Sequence, residues 1–184
     1  MALTAEERFT RIYEAYYPDV LGYCARRVSR SEAADVANEV FVVLWRRMET
    51  FDDGEPLPWL YRVAFGVIRN RRKSMRRRSR LINRLGTFAD VSDEGPDAVL
   101  VRREQDRAVI AALESLRPPD QEILRLSTWE ELSAREIGTV LDCSVSAAEQ
   151  RLHRARRRMA KALSPSRMGS IPSPRPSPKR GGAS

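Results

Sequence analysis

With 33 Lys and Arg against 25 Asp and Glu, this 184-residue chain carries a formal charge of +8 and has a pI near 10.2. That balance points to a polyanionic partner, nucleic acid before an anionic membrane surface. The two cysteines, Cys24 and Cys143, form no Cys-x-x-Cys pair and His153 is the only histidine, so no disulfide framework, zinc site or Ser-His-Asp triad is signalled. No cofactor is indicated, and both thiols are expected free and at least half-buried. No apolar run approaches the roughly 18 residues that span a bilayer, and the opening MALTAEERF lacks the layout of a secretion signal. The expectation is a cytoplasmic, all-α protein, rich in Ala, Leu, Glu and Arg and without membrane insertion.

In chain order, residues 5–28 read as a first helix: Phe9, Ile12, Tyr13, Tyr16, Val20, Tyr23 and Cys24 recur at three- and four-residue steps. Pro18 within it is expected to bend or break it. A second helix is predicted over 31–48, with Ser31 as its cap and Val36, Val40, Phe41, Leu44 and Trp45 as its inner face. Asp35, Asn38 and Glu39 lie three and four residues apart on its other side and project together. The loop FDDGEPLP follows, and a further helix is expected to start at Trp59.

That helix carries the most informative stretch, PWLYRVAFGVIRNRRKSMRRRSR at 58–80, with Trp59, Tyr61 and Phe65 early and eight Lys or Arg among its last twelve residues. Aromatic rings stack on bases only when the bases leave the duplex, at roughly 1–3 kcal/mol per base. A dense basic run binds phosphates without regard to sequence. Both on one helix suit a protein that holds a junction between paired and opened strands. The plainer alternative is a helix with core aromatics and a solvated basic face.

From 81 to 97 the pattern dissolves into a linker, LINRLGTFADVSDEGPD. A helix marked by Val99, Leu100, Val109, Ile110, Leu113 and Leu116 ends at Arg117, before Pro118-Pro119. Short helices over 120–129 and 133–141 and a longer one over 145–163 come next, with Ser133 and Glu136 as a capping box and Ser144 as a cap. The tail 164–184, with five prolines and no acid, is expected to be disordered.

The stretch 132–159 has helix-turn-helix spacing, with its turn at Asp142-Cys143-Ser144. Val145, Ala148, Leu152, Ala155 and Met159 form the inward face. Ser146, Ala147, Glu149, Gln150, Arg151, His153 and Arg154 point outward, where Gln and Arg suit adenine and guanine edges. Arg156, Arg157, Arg158 and Lys161 suit phosphates. The trio Asp35, Asn38 and Glu39 lacks a further carboxylate or histidine for metal or acid–base work, leaving a solvated face or an acidic docking face for another protein.

These pieces, in this order, resemble the small extracytoplasmic-function (ECF) group of bacterial sigma factors, in the sigma-70 superfamily. DVANEVFVVLW at 35–45 is similar to that group's D-L-V-Q-E-T-F-x-x-x-W, and PWLYRVA at 58–64 to its x-W-L-Y-R-I-A. LSAREIGTVLDCSVSAAEQRLHRARRRM at 132–159 resembles its L-S-x-x-E-I-A-x-x-L-G-x-S…R-L-x-R-A-R. The resemblance covers about 6–163.

The resemblance implies two small helical domains joined by a flexible linker, the second a helix-turn-helix (winged-helix-like) domain. Their bounds would be 5–80 for region 2, 81–97 for the linker and 98–163 for region 4. It implies that Asp35, Asn38 and Glu39 dock on core RNA polymerase. It implies that Trp59, Tyr61, Arg62, Phe65, Arg69, Asn70, Arg71, Arg72 and Lys73 open and read the minus-ten promoter element. Ser144, Ser146, Ala147, Glu149, Gln150, Arg151 and Arg154 would read the minus-thirty-five element as duplex. The partners implied are core RNA polymerase, promoter DNA both paired and opened, and a cognate anti-sigma factor.

Departures from the pattern touch specificity. Ala64-Phe65-Gly66 stands where A-R-N is common, and Gly66 costs about 1 kcal/mol relative to Ala inside a helix. Glu149-Gln150 replaces a Lys and a small residue, and Asp142 replaces the turn Gly, although Asp tolerates the left-handed conformation. A stand-alone helix-turn-helix regulator is the competing reading; it leaves 35–45 and 59–80 unexplained. A nucleic-acid-processing enzyme would need a carboxylate cluster or an activated nucleophile, and the sequence offers neither.

Overall fold

The computed structural model of the chain describes residues 3–84 and 104–164. Seven helices and no strand occur among the described residues: α1 (Ala5–Ala25), α2 (Arg30–Arg46), α3 (Pro56–Arg84), α4 (Glu104–Glu114), α5 (Pro118–Thr128), α6 (Ala134–Leu141) and α7 (Val145–Leu163). The protein is all-α. Helices α1–α3 form the amino-terminal half and α4–α7 the carboxy-terminal half, so the second half carries its helix-turn-helix without a strand among the described residues.

Helix α1 starts at Thr4, whose hydroxyl accepts from the Glu7 N–H while the Glu7 carboxylate accepts from the Thr4 N–H, a capping box at the amino end. It runs unbroken through Pro18, so of the bend or break expected there the break does not occur. Ile12, Val20, Tyr23 and Cys24 are buried on it either side of the proline, and tertiary packing of this kind outweighs the backbone bond that Pro removes. Helix α2 begins one residue earlier than expected, and its N-cap is Ser29 rather than Ser31. The Ser29 hydroxyl is engaged with the Ser31 hydroxyl and donates to the Glu32 carboxylate. Ala33, Val36, Ala37, Val40, Phe41 and Leu44 form the inner face, each large side chain contributing about 1.5–3 kcal/mol by burial. Trp45 departs from that face and is 47% exposed.

The loop between α2 and α3 is tied to α1 by Arg8. Its guanidinium donates to both Asp53 oxygens at 3.0 and 2.6 Å and to the Met48 and Phe51 carbonyls. That bond holds the Asp53 carboxyl below its ordinary range, against the opposing pull of burial. Helix α3 then starts at Pro56, earlier than Trp59, because Pro56 and Pro58 fall in a first turn whose N–H groups need no helical partner. It continues through Gly66 and on to Arg84, four residues into the stretch read as linker. The remainder of that linker and the tail beyond Ser164 lie outside the described residues.

In the second half the local signals hold. Pro118 and Pro119 open α5. Ser133 and Glu136 form the reciprocal capping box of α6, and the Ser144 hydroxyl accepts from the Ala147 N–H at 3.2 Å to cap α7. Asp142 ends α6 in the left-handed region, at φ 54°. Gly138 lies where the turn folds back: a Cβ there would meet the Cys143 carbonyl oxygen at 2.8 Å. Gly138→Ala is therefore expected to cost about 1–3 kcal/mol through overpacking of the turn, measured as a lowered denaturation midpoint with unchanged slope.

Along α7, Ala148 and Ala155 are buried and Leu152 and Met159 half-buried, as expected, but Val145 is exposed. The Arg158 guanidinium donates to both oxygens of the buried Asp120 carboxylate at 2.8 and 2.7 Å, so it serves the fold rather than a free phosphate surface. Both cysteines are free. Cys24 is buried, and burial pushes its thiol up to about 12; Cys143 is half-buried. A thiol reagent at neutral pH should titrate one cysteine in the native protein and two after denaturation. Two equivalents consumed at the same fast rate would contradict the burial of Cys24.

Candidate polymerase- and nucleic-acid-binding surfaces

The outer face of α2 brings Asp35, Asn38 and Glu39 together, all exposed, and Val42 and Trp45 continue the same stripe at helical spacing, each 47% exposed. The periodicity expected Trp45 inside. Instead its ring meets Phe9 edge-on at 5.2 Å, one side on α1 and the other in solvent. The stripe thus has an acidic end and an apolar end. Glu39 accepts a 2.7 Å ion pair from Arg71 of α3, worth little at this exposure. Arg71 thus reaches from α3 to the acidic face of α2.

Helix α3 separates its residues by depth. Trp59 is half-buried, its ring edge-on to Phe51 at 4.8 Å. Tyr61 is 3% exposed and stacks on Tyr23, centroids 4.8 Å apart at 19°; burial raises its hydroxyl well above the ordinary value. In this arrangement Tyr61 offers nothing to a base, a departure from the sequence reading. Phe65 is half-buried with the Arg69 guanidinium 5.7 Å from its ring centroid. Arg62 is exposed and pairs with Asp142, and Arg72 donates to the Arg27 carbonyl at 2.6 Å. Arg69, Asn70 and Lys73 are exposed.

On α7, Ser146, Glu149, Gln150, Arg151 and Arg154 are exposed, while Ala147 is half-buried and Ser144 serves as the cap. Between α3 and α7 lies a groove of about 1040 Å³. Phe65, Arg69, Arg72 and Lys73 line one side and Arg151 and Arg154 the other. The cations suit phosphates and the half-buried aromatic offers a stacking face. Among the described residues no group of three His, Cys, Asp or Glu is placed to hold a metal, and no helix is long and apolar enough to cross a membrane.

Sequence reasoning missed a polar cluster between the two halves. The Arg27 side chain, 2% exposed, donates from Nε to both Glu122 oxygens at 3.0 and 3.1 Å and from Nη1 and Nη2 to Glu130 at 2.9 and 3.2 Å. Arg26 adds two bonds to Glu130, and the Tyr23 hydroxyl donates to Glu122. Burial works to lower the Arg27 pKa, yet Tyr23 and the two carboxylates raise it overall. These partners lie 95 to 104 positions apart, and no local pattern marks them.

Comparison with known proteins decides the family. The model for sigma-70 region 2 matches residues 12–80, and the model for sigma-70 region 4 matches 106–159. The RNA polymerase sigma-H factor of Pseudomonas aeruginosa is 30% identical over 160 residues, covering 82% of this chain and 83% of that protein. The chain belongs to the sigma-70 family, as a sigma factor of the ECF type. The ECF sigma-E factor of Haemophilus influenzae is 27% identical over 169 residues, covering 87% and 89%. Among solved structures, the sigma factor RpoE of Bartonella quintana, crystallised with the anti-sigma factor NepR, overlays with a TM-score of 0.59 at 21% identity, covering 87% of this chain and 99% of that one. CnrH in complex with the cytosolic domain of CnrY gives 0.58 at 22%, covering 86% and 88%. At such identities the overlays speak for the fold. As a sigma factor, the chain acts in transcription initiation through its two family regions.

Proposed function

We propose that this sigma factor docks on core RNA polymerase through the α2 stripe of Asp35, Asn38 and Glu39, reads and holds open the minus-ten element with α3, and reads the minus-thirty-five duplex with α7. The observation that carries the reading is the division of labour among three faces: an exposed acidic stripe on a basic molecule, a basic helix with half-buried Trp59 and Phe65, and a capped helix-turn-helix. Trp59, Phe65, Arg69, Asn70, Arg72 and Lys73 serve the opened strand. Arg62, paired with Asp142, joins them only where α3 is free of the second half, whereas Tyr61 is committed to its stack on Tyr23 of α1. Ser146, Glu149, Gln150, Arg151 and Arg154 face base edges and flanking phosphates, with Ser144 and Ala147 setting the helix end. Polymerase supplies the catalysis, so the factor itself is no enzyme, and it works in the cytoplasm where that polymerase is. The domains run 5–80 and 98–163, with 81–97 between them. An anti-sigma factor is a further partner, by analogy with the relatives solved in such complexes.

The test is a band-shift on a promoter duplex with and without core polymerase. Retardation only in the presence of polymerase is the expected result. Site-specific retardation by the factor alone, unaltered by polymerase, would instead favour a stand-alone regulator.

A further inference from the structure

We infer that the cationic groove walled by α3 on one side and by α5 and α7 on the other is a binding site for a linear oligophosphate, a chain of three or more linked phosphates. The site stands on the geometry of the groove alone. Only its consequence for promoter reading rests on the assignments above.

Eleven Lys or Arg and two carboxylates line the groove. That surplus of nine positive charges exceeds the +8 of the whole chain, so the net charge of the molecule is gathered here. Both carboxylates are already engaged, Asp120 by Arg158 and Glu122 by Arg27. Arg69, Lys73, Arg76, Arg77, Arg80 and Arg154 have no acidic partner among the described residues. Of the lining cations, Arg76, Arg77, Arg80 and Arg117 belong to none of the promoter-reading sets named above. Arg125 of α5 buries its Nε without a hydrogen-bond partner among the described residues. Burial first, then Arg27 and Arg72, hold its pKa below the ordinary value. The cations of this region thus repel one another even with both acids in place.

These charges stand in rows rather than around a point. Along α3, residues 69, 72, 73, 76, 77 and 80 share one face at three- and four-residue steps. At the helical rise they make a row roughly 16 Å long. Arg117 at the start of α5 and Arg151 and Arg154 of α7 stand on the facing wall. A single phosphate meets few of these groups. A chain of linked phosphates carries charge on every unit and can run between the rows, where each guanidinium fork takes two oxygens. The groove, at about 1040 Å³, lies at the upper end of the roughly 300–1,000 Å³ usual for small-molecule sites. A DNA duplex, whose major groove alone is ~12 Å wide, does not enter it. Walls of one sign in a concave site focus the field and draw in a polyanion. A bound chain covers Arg69, Lys73, Arg151 and Arg154, so it competes with promoter DNA for the residues that read it.

Calorimetric titration of the full-length protein at physiological ionic strength tests the site. The probe is sodium tripolyphosphate, with orthophosphate, ATP, GTP and a short oligothymidylate as comparisons. One equivalent of tripolyphosphate is expected to bind, about a hundredfold or more tighter than orthophosphate. Arg76→Ala/Arg77→Ala/Arg80→Ala alters exposed positions where Ala favours the helix, and it should weaken binding about a hundredfold at unchanged helicity. Arg30→Ala/Arg46→Ala/Arg47→Ala removes the same charge from exposed positions outside the groove and should bind as wild type does. Arg117→Ala/Arg154→Ala, on the facing wall, should weaken binding about tenfold. ATP or GTP binding tighter than tripolyphosphate marks a nucleotide as the source of the chain, with its base on Phe65. Equal or weaker binding of the nucleotides marks an inorganic chain, and either result upholds the site. An absence of tripolyphosphate binding overturns it, as does an equal loss in the two triple variants. Unchanged affinity in Arg117→Ala/Arg154→Ala reduces the site to one face of α3 and overturns the groove. Oligothymidylate binding tighter than tripolyphosphate makes the groove a strand site and overturns the proposal. No readout involves polymerase or a promoter, so a failure of the proposed function leaves the site to be judged by these data.

Discussion

Asp35→Arg/Glu39→Arg is expected to abolish binding to core polymerase while leaving the circular dichroism spectrum and denaturation midpoint close to wild type. Both side chains are exposed on α2, so neither is needed for the core. Glu39 gives up one ion pair to Arg71, an exposed contact worth at most about 1 kcal/mol, and the new arginine repels Arg71 by a similar amount. At the interface the effect is larger. A like-charge juxtaposition costs several kcal/mol, so two reversals are expected to weaken the complex about a thousandfold or more. Comigration on a sizing column at micromolar concentration checks it, and an undiminished complex removes α2 from the docking role. Val42→Ala is a graded companion: it trims the apolar end of the stripe without touching charge, and a severalfold weakening is expected.

Trp59→Ala is expected to retain polymerase binding and to reduce promoter opening about tenfold to a hundredfold, from the loss of roughly 1–3 kcal/mol of base stacking. The ring also packs on Phe51, and its truncation costs stability as well. Phe51→Ala separates the two contributions. It removes the same aromatic contact, leaves the indole in place, and lies in a loop that Arg8 holds to α1. If Trp59 acts on the opened strand, Trp59→Ala impairs opening much more than Phe51→Ala at matched loss of stability. Equal impairment by both would reduce Trp59 to a packing residue. Opening is read by permanganate reactivity of unpaired thymines in the complex with polymerase.

What the sequence disclosed and what it concealed divide along the range of the forces involved. The capping box at Ser133 and Glu136, the Ser144 cap and the left-handed Asp142 are interactions over three or four residues, and each stands where the sequence placed it. The apolar faces of α1 and α2 follow helical spacing and are buried accordingly, and the trio Asp35, Asn38 and Glu39 is exposed as its spacing required. Failures began where distant residues intervened. Pro18 was overridden by packing on both sides of it. Trp45 fitted the apolar pattern, but with Phe9 edge-on to its ring it remains 47% exposed. Tyr61 and Arg158 have the residue types of a nucleic-acid surface, and their partners, Tyr23 and Asp120, lie 38 positions away in each case. Arg27, Glu122 and Glu130 are single charges in charged surroundings, and only the docking of the halves makes them a unit. Their burial is a tertiary fact without a local trace.

The most direct measurement of the central claim is run-off transcription from fragmented genomic DNA of the source organism, using core polymerase with and without the purified factor. A stoichiometric complex and discrete new transcripts that depend on the factor are the expected result, and both should vanish with Asp35→Arg/Glu39→Arg. A factor that binds promoter duplexes unaided, forms no complex with polymerase at moderate salt and adds no transcript would contradict it.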